Sequence, residues 1–429
     1  MKVALLLHLY QPPQQNAHVV HEIAKSSYLP LLKLLRAKKD LKLTLNVPLS
    51  LLEWFEKEKI ETFMPEIKSL VAAGRVEIVG SGAFHPILTK FEEPEIERQI
   101  ILNEGGLAYY LGKTSGFEGE PSLMIKGIKG FFPPEMSVST KVVNVLNELA
   151  YEWVAVDEVA VDKGTAYDLA HIHKAEGTSV ALAVRNRALS LSLAFKRDAD
   201  PSDFMEGFNY IKSCGHKFVF IALDGETFGH HNKEGIELLE NLVDEVLMQG
   251  STFATYSEVV DEFRSKKETK VVESSWGASD EDVAQGNLYP RWYISGNFLH
   301  EQFMQFEKLL LDYCKDVLEK SAFANPSVAT FPESANNLPV WNFNLLSNNQ
   351  ELSNEVKDVI KLRVSLDKAL NSDKYWWSCK NPYYDLNMIK RSLEILMKVV
   401  DRIPKDQERV IKEAKTLRDN ILGALKTSN

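Results

Sequence analysis

Cysteine is scarce in this 429-residue chain: there are three, Cys214, Cys314 and Cys379, far apart and odd in number. That argues against a disulfide framework or a CxxC metal site and fits a reducing compartment. Long apolar runs are missing too. The opening "MKVALLLHLY" is interrupted by His8 and then by Pro12 and Pro13 before a signal-peptide core is complete, and no window approaches the ~18 apolar residues of a membrane span. Nor is there any excess of positive charge. A net charge of −10 and a pI near 5.6 give no basic footprint for nucleic acid or an anionic membrane, and leave neutral or cationic ligands favoured. Fixed-length repeats, low-complexity tracts, a GxSxG elbow, a Walker loop, a GxGxxG fingerprint and HExxH are likewise absent, so no nucleotide cofactor is implied. The expectation is a cytoplasmic protein with no nucleic-acid or membrane partner; oligomeric state is not legible.

What is present is an ordinary globular balance, 45% hydrophobic and 26% charged, in a chain too long for one core. Short β-like runs recur at 2–8, 41–47, 75–80, 128–132, 152–157, 179–184 and 217–223. Between them lie amphipathic stretches such as "YLPLLKLLRAKK" and "STKVVNVLNELA", the latter with Ser139 as an N-cap. Strands apolar throughout and separated by helices predict an α/β fold with a covered parallel sheet. Seven such units suggest an irregular (β/α)7 barrel, with an open doubly wound sheet left as the alternative. After about residue 265 the β signal fades. "RSKKETK" reads as a polar break and "SSWGASDEDVAQGNLYP" as loop. Long helices follow: "NFLHEQFMQFEKLLLDYCKDVLEK" places Phe298, Phe303, Phe306, Leu310, Tyr313 and Val317 near one face. The predicted division is a barrel over 1–265 and a helical region over 266–429.

In parallel β/α folds, ligands bind at the carboxyl ends of the strands. In "FVFIALDGETFGHH", Asp224 follows the last strand of the barrel; Glu135 follows "GFFPP"; Asp157 closes the fifth strand; His8 ends the first and His85 lies beyond the third. Two carboxylates facing one cavity are what glycosidic cleavage requires. Taken singly, Asp224 is as readily a turn former before Gly225, and Glu135 a cap after its prolines.

Four segments, "HLYQPP" (8–13), "GRVEIVGSGAFHPIL" (74–88), "GFFPPEMSVS" (130–139) and "IALDGETFGHH" (221–231), resemble the first four sequence regions of glycoside hydrolase family 57 in order and spacing. "LNSDKYWWSCKNPYY" (370–384) is similar to the family's aromatic fifth region. The resemblance implies a (β/α)7 barrel followed by a helical bundle, acting with retention on α-linked glucans as a hydrolase or transglycosylase. It implies Glu135 as nucleophile and Asp224 as general acid/base, with carboxyl groups about 5–5.5 Å apart. His8, Gln11, His85, Asp157 and His230 are then candidate substrate contacts. Trp376 and Trp377, with Tyr375, Tyr383 and Tyr384, are a candidate stacking platform that the helical region brings to the cleft, or cement between the two regions; Trp276 and Trp292 could do either job. Tyr10 stands where many members carry the second His of an HxHQP signature. The alternatives are a zinc-dependent deacetylase or mannosidase using the histidines with Asp157 or Asp224, or a non-catalytic glycan-binding relative. No metal is assigned.

Overall fold

The structure is a computed structural model that describes residues 1–112, 127–162, 170–320, 347–350, 352–380 and 384–427. Its strands are β1 (Lys2–His8), β2 (Leu43–Asn46), β3 (Val76–Val79), β4 (Gly130–Phe131), β5 (Trp153–Val156), β6 (Ile172–Ala175), β7 (Ala181–Val184), β8 (Phe218–Asp224), β9 (Thr252–Ala254) and β10 (Arg264–Thr269). Within β1, Ala4 and Leu6 join one buried cluster while Val3, Leu5 and Leu7 join another; Phe218, Phe220 and Ala222 of β8 alternate likewise with Val219, Ile221 and Leu223. A strand covered on both faces needs an apolar residue at every position, which is why these segments read as unbroken runs.

Seven strands close a ring. In parallel, β1 pairs with β2 and β8, β2 with β3, β4 with β5, and β5 with β7. Single parallel bridges, Gly80 to Phe131 and Arg185 to Phe220, join β3 to β4 and β7 to β8. The expected irregular (β/α)7 barrel is therefore present, its inner cluster running from Ala4 and Leu6 to Trp153, Ala183, Phe220 and Tyr256. Side chains alternate along each strand. Extending the inward rows by one step puts His8, Asp157, Arg185 and Asp224 on the inside at the carboxyl end.

The irregularities are local. β2 pairs with β1 at Leu6–His8, whereas β9 pairs with it at Lys2–Ala4, so β9 wedges the seam at the amino end. That end is sealed by the helix Tyr256–Phe263, where Ser257 accepts from Trp153 Nε1 at 2.8 Å. A Cβ on Gly130 would come within 1.9 Å of the Trp153 ring, so only glycine lets the indole fill this level.

β6 and β10 lie outside the ring: β6 pairs antiparallel to β7, and β10 parallel to β6. "RSKKETK" is thus not a break. Most of its side chains stay in solvent and Thr269 is buried, the pattern of a charged edge strand that periodicity does not reveal.

The helices Phe298–Lys320, Asn354–Ala369, Leu386–Val400 and Glu408–Thr427 follow. Phe303, Phe306 and Leu310 are buried as expected, but Phe298 in the first turn is 49% exposed. Several links dock these helices on the carboxyl end of the barrel. Asp367 accepts from Arg98 at 2.7 Å, Arg363 pairs with Glu95, Lys368 meets Glu53 at 2.8 Å, and Ser372 N donates to His85 O at 3.0 Å.

Candidate active site

Glu135 sits just past β4 in a turn of Pro134–Met136, with Pro133 before it. Its backbone is left-handed, at φ 57° and ψ 22°, and Met136 follows at φ 45°. Non-glycine residues hold such a conformation at a cost of about 1–3 kcal/mol, and only where surroundings enforce it. Here the enforcing contacts come from afar. Glu135 Oε2 accepts from Trp276 Nε1 at 2.8 Å, Oε1 accepts from Ser372 Oγ at 3.3 Å, and Trp276 N donates to Glu135 O at 3.0 Å. His85 Nδ1 lies 3.6 Å from Oε1.

Trp276 is itself held. The Arg185 guanidinium lies 5.2 Å from its ring centre, and Arg187 Nη2 donates to Trp276 O at 2.8 Å. Both arginines converge on Asp157, with Arg185 Nε 2.6 Å from Oδ2 and Arg187 Nε 3.2 Å from Oδ1. Asp157 is wholly buried against these two arginines, and through Arg185 it helps to orient Trp276.

Asp224 ends β8 directly opposite His8 on β1. Burial pushes its carboxyl up to about 6, against the pull of Arg185. Glu135 is raised well above the usual range, first by burial and then by the charges of Asp373 and Asp224; Trp276 and Ser372 oppose this by hydrogen bonding. Two residues past Asp224, Glu226 accepts from the Tyr28 hydroxyl and from Tyr10 N at 3.2 Å, and burial and Asp224 push it up to about 7. Gln11 turns its Nε2 to Glu226 at 3.2 Å and Tyr28 at 3.3 Å, and its Oε1 accepts from Gln15 at 3.1 Å.

His8 and His85 stack with ring centres 4.9 Å apart, and Tyr10 lies on His85 at 4.1 Å. His8 Nδ1 pairs with Asn46 Oδ1 at 2.6 Å, while His85 Nδ1 pairs with Ser372 Oγ at 3.1 Å. Burial lowers His8 to about 4 and His85 well below its ordinary value, which favours the neutral ring in both. The buried Nε2 of His85 has no hydrogen-bond partner among the described residues. His230 is placed differently. It is partly buried, 5.1 Å from the His231 ring, with Lys233 and Glu22 nearby, and no described contact joins it to Glu135 or Asp224.

Asp373 lies in "LNSDKYWW", where nothing local marks it as a site residue. It accepts from Tyr10 Oη at 2.6 Å, and burial pushes it up to about 6. Trp376 remains partly exposed beside Trp292, ring centres 5.9 Å apart; Trp377 is 8% exposed. Tyr375 is fully buried, donates to Glu307 and packs on Tyr293 at 4.6 Å, which makes it cement. Tyr383 lies outside the described residues. Ser372, Glu226 and Trp276, on loops and turns with no periodic signal, also join the site. Among the described residues no three His, Cys, Asp or Glu side chains are grouped as a metal ion would need.

A parallel seven-stranded barrel carrying buried carboxyl groups at its carboxyl end is the class that fold and site define. The chain belongs to glycosyl hydrolase family 57, whose sequence model matches residues 6–272. It is 28% identical over 153 residues to an α-amylase of Pyrococcus abyssi, covering 35% of this chain and 21% of that protein. A 4-α-glucanotransferase of Thermococcus litoralis is 27% identical over 152 residues, again 35% and 21% of the two chains. The match thus spans about a fifth of the length of these curated relatives. The fold is similar to that of a family 57-type branching enzyme of Pyrococcus horikoshii, with TM-score 0.69, 16% identity and coverage of 99% of this chain and 95% of that one. No helix among the described residues is long and apolar enough to cross a membrane.

Proposed function

We propose that the chain is a retaining glycoside hydrolase or transglycosylase acting on α-linked glucan, with Glu135 as nucleophile and Asp224 as general acid/base. The observation that carries this reading is an asymmetry between the two carboxyl groups. Glu135 accepts from Trp276 and Ser372, whereas no hydrogen-bond donor reaches Asp224 among the described residues, and burial is the first cause of the upward shift at both. Donors favour the ionised form, so Trp276 and Ser372 offset part of what burial does to Glu135 while nothing does so by hydrogen bonding at Asp224, which suits Glu135 to attack and Asp224 to carry the proton. Glu135 then attacks the anomeric carbon as Asp224 passes that proton to the departing oxygen. In the second step Asp224 takes a proton from water or from a sugar hydroxyl, which displaces Glu135. The unpartnered His85 Nε2 is suited to a sugar hydroxyl, and the helical region, through Ser372, Asp373 and Trp376, completes the cleft over the barrel.

Membership of family 57 and the α-glucan activities named for its relatives support the choice of substrate. Glu135→Ala and Asp224→Ala should each lower turnover of maltoheptaose on the order of 10³-fold or more, and chromatography of the products separates hydrolysis from transfer. Near wild-type turnover in either variant overturns the assignment.

A further inference from the structure

Beside the carboxylate site, between the segment after β1 and the helix Leu386–Val400, lies an open cleft of about 580 Å³. That is within the roughly 300–1,000 Å³ range of small-molecule sites. Gln15, Asn16, Trp377, Asn387, Lys390 and Arg391 line it. We propose that this cleft binds the part of an α-glucan chain remote from the bond being cleaved, an inference that rests on the function proposed above.

The lining chemistry favours a neutral polyhydroxyl ligand. Amide side chains both donate and accept, as sugar hydroxyls do. Lys390 and Arg391 are balanced on the same walls by Asp385 and Glu394, which leaves no net charge for an anion. Trp377 adds an apolar surface of the kind that packs against the CH face of a pyranose.

Connectivity places the cleft next to the reacting groups. Gln15 donates to Gln11 at 3.1 Å, and Gln11 donates to Glu226, two residues from Asp224. Trp377 ends the short helix Asp373–Trp377 that Asp373 begins. The walls are fixed in advance, since Gln14 and Asn371 exchange amide hydrogen bonds at 2.8 and 3.0 Å and Arg391 Nη1 donates to Gln14 O at 3.2 Å. A preformed wall spares a ligand the ordering cost of binding.

Asn387 and Lys390 are exposed on the cleft wall, so Asn387→Leu and Lys390→Ala test the proposal with little risk to folding. The quantity read is the ratio of kcat/KM on maltoheptaose to kcat/KM on maltotriose. A ratio lowered about tenfold in Asn387→Leu, and in the same direction in Lys390→Ala, is expected. An unchanged ratio in both variants overturns the distal site. If the wild-type chain turns over no α-glucan, the proposed function fails and calorimetry with maltoheptaose decides the cleft separately. Binding that Asn387→Leu weakens about tenfold supports the site, and absence of binding to the wild-type chain overturns it.

Discussion

Trp276 donates its indole N–H to Glu135 across 141 positions of chain, and removing that donor leaves a buried carboxylate with less to stabilise its charge. Glu135 must be ionised to attack, so activity falls as pH drops through its pKa. Trp276→Phe raises that pKa further. The acidic limb of the kcat/KM profile should therefore move to higher pH in the variant, and an unmoved limb would show that the indole does not tune the carboxylate. At the same scale, His8, His85, Glu135 and Asp224 could be nominated from the sequence because strand ends and flanking Pro and Gly residues are local signals. Asp373 and Ser372 could not, because the contacts that make them matter span 363 and 237 positions; Trp276 could be named only as a loop aromatic, since its bond to Glu135 spans 141. The same limit applies to Asp157, whose ion pairs with Arg185 and Arg187 no local pattern announces.

At the scale of elements, the helix Glu93–Leu111 carries a buried acid, Glu104, that accepts from Tyr151 Oη at 2.5 Å and is pushed by burial up to about 8. The folded chain keeps this proton where the unfolded chain, with an ordinary value near 4.5, releases it. Stability from this group is therefore complete below about 4.5 and declines as pH rises through about 8. Thermal melts between pH 5 and 9 should decline less steeply in Glu104→Gln than in the wild type; parallel declines would contradict the assignment. A second element contact joins this helix to Asn354–Ala369, where Asp367 neutralises Arg98 and Arg363 together. Asp367→Asn leaves buried Arg98 without its carboxylate and Arg363 with Glu95 alone, and should cost about 3–5 kcal/mol in urea unfolding. The barrel strands were readable because burial on both faces demands unbroken apolar runs. β6 and β10 were not, since strands outside the ring are not covered on both faces along their whole length, and β10 is a charged edge.

At the scale of the whole molecule, the ring closes through single bridges on either side of its paired strands, and the helices dock over the end where the inward rows terminate. That arrangement brings regions distant in sequence together: Glu135, just past β4, accepts from Ser372 of the segment 371–377, and Asp373 in the same segment accepts from Tyr10 after β1. The (β/α)7 plan was legible from the seven runs, but the docking was not, since it depends on Arg98, Gln14 and His85 meeting helices more than 250 positions away. The central claim is that the glycosyl group passes through a covalent bond to Glu135. Trapping with 5-fluoro-α-glucosyl fluoride, followed by peptide mass spectrometry, tests it most directly. The account predicts one added glycosyl unit on the peptide containing Glu135 and none on that peptide in Glu135→Gln. A label on any other residue, or a product of inverted anomeric configuration, would contradict it.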